Sequence, residues 1–134
     1  MKYKSGYKYI LVENFSVQTK ITHNADIVLD GWVTLRTNGL LSIRKGYAWD
    51  GASGPVIDTK TIMRGSLIHD ALYQLMREGH LGQQWFYAVN NELHAACIED
   101  GMHWLRAWYV LRGVNLFGEQ YATPTLASNI HEAP

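Results

Sequence analysis

Alternating polar and apolar positions dominate the first third of the chain. Residues 7–21 (YKYILVENFSVQTKI) are rich in aromatic and β-branched side chains, with a turn signal at Glu13-Asn14. In residues 31–47 (GWVTLRTNGLLSIRKGY), apolar and polar side chains alternate on both sides of Asn38-Gly39. Asn-Gly supplies the positive-φ pair of a tight two-residue turn. This region therefore predicts a small antiparallel sheet that contains a hairpin.

Apolar positions take helical spacing in the second half of the chain. The first helix is expected to begin at a capping residue, Asp58 or Thr59, and to end at Gly79. Two further helices are predicted over residues 83–100 and 103–117, each followed by a glycine. Strands followed by helices indicate an α+β fold. We expect a small N-terminal antiparallel sheet with a three-helix C-terminal half packed on it.

The length of 134 residues is typical of a single domain. We expect this domain to span residues 1–118 and to be followed by a poorly ordered tail at residues 119–134. The tail contains Pro124, Pro134 and several small polar residues. The chain is thus expected to consist of one folded unit without a linker or repeat.

Composition and charge exclude several classes of function. Twelve basic and twelve acidic residues give a formal net charge of zero, so no broad positive field favours nucleic acid. The single cysteine, Cys97, rules out an intramolecular disulfide and a cysteine-rich zinc site, and its spacing favours a core position. The chain has neither a signal-peptide pattern nor an apolar run long enough to span a membrane. These features predict a soluble cytoplasmic protein.

Two short stretches carry the residues best suited to chemistry: GYAWDGASGP at 46–55 and IHDALYQL at 68–75. Neighbouring residues on a helix point about 100° apart, so the His69-Asp70 pair needs polar partners if it is buried. A glycine-rich loop exposes backbone N–H groups that could bind the carboxylate. In a structural interpretation, four polar residues lock this loop to the helix: Asp50, Ser53, His69 and Asp70.

The same residues also support a catalytic interpretation. Imidazole and carboxylate groups suit zinc, manganese or iron, which makes Asp50, His69 and Asp70 metal ligands or acid/base groups. Without a metal, a histidine oriented by a carboxylate could act as a general base for Ser53. The spacing matches neither HExxH nor GxSxG. Both interpretations therefore stay open, and a divalent metal is an option rather than a requirement.

Two more helices contribute polar or aromatic candidates. Asn90 and His94 are four residues apart on a helix expected to pack against the His69 helix, so either could complete the site. Ordinary amphipathic positions are nevertheless the favoured interpretation of that pair. Tyr73 lies four residues after His69 and is expected to cover it. The aromatic residues of the last helix, including Trp104 and Trp108, favour a core position; if exposed, they would form a protein–protein patch.

These motifs give the chain a resemblance to the phage and prophage family called domain of unknown function 1353. In outline, that family has Gly-aromatic-x-x-Asp-Gly-Ala-Ser-x-Pro, then His-Asp-x-Leu-Tyr, a helix with an Ala-Asp pair and a closing Phe-Gly. The matching residues are Asp50, Gly51, Ala52, Ser53, Pro55, His69, Asp70, Leu72, Tyr73, Phe117 and Gly118. The resemblance spans roughly residues 30–118. It implies a tailed-phage or prophage origin and a shared site at Asp50, His69, Asp70 and Tyr73, without an established activity.

One departure from the family outline favours the non-catalytic interpretation. The helical aspartate of the family aligns with Asn90, so if that carboxylate binds a metal in the family, this chain lacks one charged ligand. We therefore expect a phage-encoded accessory protein, in the host cytoplasm or associated with the virion. It would act without catalysis by binding a host or virion protein through its aromatic helical surface. The alternative is a small hydrolase, metal-dependent or not, that attacks cell-wall or other host material with Asp50, His69 and Asp70.

Overall fold

The computed structural model of the chain describes residues 3–4, 9–49 and 60–123. In these residues, strands precede helices, which confirms the predicted α+β order. The strands are β1 (Tyr3–Lys4), β2 (Tyr9–Leu11), β3 (Phe15–Gln18), β4 (Ile27–Leu29), β5 (Val33–Leu35), β6 (Leu40–Ile43) and β7 (Ala48–Trp49). The helices are α1 (Lys60–Arg77), α2 (Phe86–Glu99), α3 (Trp104–Phe117) and α4 (Glu119–Ala122), with a 3₁₀ turn at Gln83–Trp85 before α2.

The strands form two antiparallel sheets rather than one. One sheet has the order β1-β2-β7 and the other has the order β3-β6-β5-β4. The chain passes from one sheet to the other twice, between β2 and β3 and between β6 and β7. The Asn14 side chain joins these two crossings, because it accepts a hydrogen bond from the backbone N–H of Lys45 (2.9 Å). The turn expected at Glu13-Asn14 is thus a crossing between sheets.

The hairpin of β5 and β6 forms where it was predicted, with a different turn. Only Gly39 of the expected positive-φ pair has a positive φ, at 94°. The N–H of Gly39 donates to the carbonyl of Arg36, and the N–H of Arg36 donates to the carbonyl of Leu40 (both 2.9 Å). The prediction of a two-residue turn was therefore wrong. A three-residue loop that ends in a left-handed glycine also fits the twist of the strands.

Helix α1 lies at the centre of the molecule. Twelve of its eighteen residues are buried, so it has neighbours on most of its circumference. Its side chains join the main core with both sheets and α2, and Ile62 joins a second cluster with residues of α2 and α3. The members of that second cluster are Ile62, Leu93, Cys97, Met102, Ala107 and Val110. Polar residues of α1 that face these neighbours are consequently removed from solvent.

Glycines end the first two helices as predicted. Gly79 and Gly101 have φ values of 83° and 98°, in the left-handed region that favours glycine after a helix. The capping residues proposed for α1, Asp58 and Thr59, lie outside the described residues. Beyond Gly118 the chain continues into α4, where Ala122 is fully buried in the main core. The folded part therefore extends past the boundary expected at residue 118, because Ala122 anchors it.

Candidate functional site

A polar network connects the three longest helices. The Nε2 atom of His69 on α1 lies 2.9 Å from Oδ1 of Asn90 on α2, and the hydroxyl of Tyr73 donates to the same oxygen (2.7 Å). Nδ2 of Asn90 then donates to Oδ1 of Asn115 on α3 (2.8 Å). Asn90 has no exposed surface, and His69 and Tyr73 are also buried. His69, Tyr73 and Asn90 thus lie together, with Asn115 as a further member, so Asn90 is not the ordinary amphipathic position that was favoured for it.

The acceptor character of Asn90 fixes the proton on His69. A carboxamide oxygen has no hydrogen to donate, so Nε2 of His69 must carry the proton in this hydrogen bond. Neutral His69 then has an unprotonated Nδ1 atom, which lies 3.9 Å from Oδ1 of Asp70. The rings of His69 and Tyr73 lie against each other with centroids 3.9 Å apart. Both orientation and tautomer of His69 are therefore set by neighbours on α1 and α2.

Asp70 lies at the edge of this network. Its side chain is 32% exposed and its carboxylate is too far from His69 Nδ1 for a hydrogen bond. The other two polar residues of the predicted site, Asp50 and Ser53, lie outside the described residues. The lock between loop and helix therefore stays a prediction. In the described part of the chain, no three His, Cys, Asp or Glu residues lie together as a metal site.

Tyr73 contributes a neutral donor that is enclosed by α3. Burial raises the pKa of its hydroxyl well above the ordinary value; the hydrogen bond to Asn90 opposes this and the Asp70 carboxylate adds to it. Gly118, at the end of α3, lies directly over the hydroxyl. A Cβ at this position would collide with the Tyr73 hydroxyl and would stand 2.6 Å from the carbonyl of Val114. The close approach of α3 to Tyr73 thus requires a glycine at 118.

No residue pattern in the chain singled out Asn115. Its role depends on α3 crossing α2 beside Asn90, and a crossing geometry between two helices cannot be taken from residue spacing within one of them. His94 has no polar contact with the network in the described residues. Cys97 is fully buried, and burial raises its pKa to about 11, as suits the expected core position.

The outward side of α3 is apolar, which corrects the expected core position of its aromatic residues. Trp104 is 66% exposed, and Trp108 and Tyr109 are also exposed. The side chains that face the rest of the protein are instead small or β-branched, Ala107 and Val110. Small residues let α3 approach α2 closely, and this leaves the large rings on the far side. The exposed apolar residues of α3 are Trp104, Leu105, Trp108, Tyr109, Leu116 and Phe117, which we call the α3 surface.

A shallow groove crosses the α3 surface. It is lined by Trp108, Leu111, Arg112, Asn115 and Leu116. The guanidinium of Arg112 lies over the Trp108 ring, 5.7 Å from its centroid. Asn115 belongs both to this groove and to the buried network. The polar chain that starts at His69 therefore ends at the protein surface.

No family model, curated protein or solved structure matched the chain significantly in our comparisons. In the described part of the chain, no helix is both long enough and apolar enough to cross a bilayer. The functional argument consequently rests on the geometry of the polar network and of the α3 surface.

Proposed function

We propose that the protein is a non-catalytic binding protein that docks another protein on the α3 surface. The observation that carries this proposal is the exposure of six large apolar side chains on one helix. Monomeric proteins seldom expose a large contiguous apolar patch without a partner to cover it. The resemblance to a phage family suggests a host or virion protein as that partner.

The area of the α3 surface suits a protein interface. An aromatic side chain can bury about 150–250 Å², and the four rings of this surface are exposed by half or more of their area. Together they leave on the order of 500 Å² in solvent, before the two leucines are added. This value approaches the roughly 800 Å² that each partner contributes to an interface of standard size.

The residue types of α3 favour a protein over a lipid bilayer. The helix contains Trp, Tyr, Phe, Leu and Arg but no Lys, Asp, Glu or Ser. Interface cores are enriched in these aromatic residues and arginine and are depleted in other charged residues. Leu105, Arg112 and Leu116 recur at spacings of seven and four, opposite the buried Ala107 and Val110. Arg112 thus lies at the middle of the apolar face, whereas a helix that lies in a membrane interface keeps its cations on the opposite side.

The buried network supports a structural role for His69. His69 and Tyr73 on α1 bond to Asn90 on α2, and Asn90 bonds to Asn115 on α3. Asn90 carries no charge, so it supplies no acidic ligand to a metal. These residues therefore hold in place the helix that carries the α3 surface.

Site-specific photo-crosslinking tests the docking proposal. A photoreactive phenylalanine analogue replaces Tyr109 on the α3 surface or, as a control, Val28, which is also exposed but lies on β4. We expect one defined host or virion protein to crosslink at position 109 and not at position 28. The purified partner should then bind the unmodified protein and lose about tenfold or more in affinity upon Trp108→Ala. Equal crosslinking at both positions, or none, would contradict the proposal.

A second function, hydrolysis, is favoured by the fixed tautomer of His69. In neutral His69, Nδ1 is unprotonated and lies 3.9 Å from the partly exposed Asp70 carboxylate, where it could accept a proton or bind a metal. Metal content by plasma mass spectrometry, with melts of the wild type and His69→Ala, separates the two functions. Under the binding proposal we expect no metal and a loss of about 1–3 kcal/mol in the variant. Stoichiometric zinc or manganese that the variant lacks would favour the hydrolase.

A further inference from the structure

The groove on the α3 surface has a polar centre that specifies the chemistry of the partner. We infer that the partner presents the carboxylate of an Asp or Glu side chain, flanked by apolar residues, to Arg112 and Asn115. This inference rests on the proposed function, since it names the chemistry of the protein segment that docks on the α3 surface.

Arg112 is a cation without an acidic partner in the described residues. Arg36 and Arg64 form ion pairs with Asp26 and with the acidic end of α2, respectively. Arg112 instead lies beside Trp108, with the guanidinium carbon 5.7 Å from the ring centroid, and α3 contains no acidic residue. Because Arg112 is exposed, its N–H donors are accessible from solvent. A guanidinium can bind a carboxylate through two parallel hydrogen bonds.

The buried network leaves Asn115, like Arg112, with a hydrogen-bond donor at the groove. His69 and Tyr73 both donate to the oxygen of Asn90, so the nitrogen of Asn90 must donate to Asn115. The oxygen of Asn115 thus accepts one hydrogen bond from inside the protein, and its amide nitrogen has no acceptor among the described residues. The hydrogen bonds run outward from His69, and the amide nitrogen of Asn115 is left as a donor at the groove.

The groove consequently presents the guanidinium of Arg112 and the amide of Asn115 between apolar walls. Arg112 and Asn115 are three residues apart and lie on neighbouring positions of the helix surface. Trp108, Leu111 and Leu116 supply the apolar walls. A carboxylate accepts hydrogen bonds and carries the charge opposite to that of Arg112. The groove therefore complements an acidic side chain within an otherwise apolar segment.

Two other occupants fit these charges less well. A second copy of the chain, paired antiparallel through α3, would bring two Arg112 side chains close to the twofold axis, where like charges repel. A lipid phosphate would satisfy Arg112, but the apolar side chains on both sides of Arg112 would then draw the cation into the acyl region. A protein segment can supply the carboxylate and the apolar contacts together.

Selection from a display library of helical peptides, with the positions on one face randomised, tests the inference. The baits are the wild type, Arg112→Glu, Asn115→Asp and a matched control, Arg44→Glu. Arg44 is also exposed, and its guanidinium carbon lies 5.6 Å from the ring centroid of a tryptophan, Trp32, but Arg44 lies outside α3. We expect the wild type and Arg44→Glu to select peptides with Asp or Glu at one position between apolar residues. Arg112→Glu should select Lys or Arg at that position.

Affinity measurements on one selected peptide complete the test. Changing its acidic residue to the corresponding amide should weaken binding to the wild type by about tenfold or more. Asn115→Asp should weaken the acidic peptide and spare the amide peptide. Peptides whose binding is lost in Trp108→Ala but that show no preference for an acidic residue would overturn the inference and leave the proposed function standing. If Trp108→Ala weakens the binding of no selected peptide, the inference and the proposed function are both contradicted. Binding to phosphatidylglycerol vesicles that is lost in Arg112→Glu would then assign the surface to lipid.

Discussion

Asn90 is the residue on which the packing of the three long helices converges. Its oxygen accepts hydrogen bonds from His69 and Tyr73, and its nitrogen donates one to Asn115. A buried carboxamide is costly unless its polar atoms are paired, and here they are paired across helices rather than within one. The network therefore favours one arrangement of α1, α2 and α3 over alternatives that would leave these groups unpaired.

Asn90→Ala should lower the free energy of unfolding by about 3 kcal/mol, because it leaves buried donors on His69 and Tyr73 without their acceptor. Urea unfolding followed by circular dichroism measures this change. Asn91→Ala is the matched control, since Asn91 is the next residue of α2 and is exposed. We expect this control to change stability by no more than about 0.5 kcal/mol. Equal effects of both variants would show that the network contributes no stability.

Gly118→Ala should destabilise the protein by about 1–3 kcal/mol, because the new methyl group collides with the Tyr73 hydroxyl. Gly113→Ala on the same helix is the control. A Cβ at 113 has no atom within 4 Å, so alanine should stabilise α3 by about 0.5–1 kcal/mol. Thermal melts measure both variants. In a Tyr73→Phe background the cost of Gly118→Ala should shrink, and an unchanged cost would rule out the collision with the hydroxyl as its cause.

Spacing along the chain predicted part of the network. His69 and Tyr73 are four residues apart on α1, so their shared face was expected from the sequence. Asn90 was also singled out, since α2 was expected to pack on α1. Asn115 was not, because its contact depends on the angle between α2 and α3. Residues joined within one helix could thus be predicted, whereas the partner on a third helix could not.

At the scale of the element, α3 is apolar on both sides. Ala107 and Val110 pack against the protein, while Leu105, Trp108 and Leu116 face outward. An apolar residue has the same periodicity whether it meets a core or a partner, so the pattern predicted a helix without telling which side would be buried. The size of the side chains decided it, since the smaller ones allow the closer contact with α2.

Removing the leucines from the outward side of α3 should reduce exposed apolar area without loss of stability. The double substitution Leu105→Gln and Leu116→Gln is expected to lower the fluorescence of a bound hydrophobic dye relative to the wild type. The free energy of unfolding should change by no more than about 0.5 kcal/mol, because both side chains are exposed. Val28→Gln, an exposed change on β4, should leave dye binding unaltered. A large loss of stability in the double variant would place these leucines in a core instead.

At the scale of the whole molecule, hydrogen bonds connect the sheets to the helices. The indole N–H of Trp49 on β7 donates to the hydroxyl of Ser66 on α1 (3.0 Å). The backbone N–H of Lys20, which follows β3, donates to the Glu92 carboxylate on α2 (2.7 Å). Each sheet is therefore tied to a different helix. Fold class and element order could be predicted from the sequence, but these contacts join residues far apart in the chain and could not.

The Glu92 contact makes the connection between sheet and helix sensitive to pH. Burial raises the pKa of the Glu92 carboxyl above its ordinary value of 4.5, and the hydrogen bond from Lys20 opposes this only in part. Because the folded state holds the proton more tightly than the unfolded state, the contribution of Glu92 to stability falls as the pH rises from the ordinary pKa through the raised one.

Glu92→Gln keeps an oxygen that can accept the hydrogen bond from Lys20 and removes the ionisation. Its stability relative to the wild type should therefore rise as the pH increases from the ordinary pKa of the carboxyl through the raised one, which urea unfolding at several pH values can measure. Glu78→Gln is the control, since Glu78 is exposed just after α1, and its curve should stay parallel to that of the wild type. If the curve of Glu92→Gln is also parallel to that of the wild type, the partners of the Glu92 carboxylate offset the whole cost of burying its charge. The contact between sheet and helix would then contribute the same stability at every pH measured.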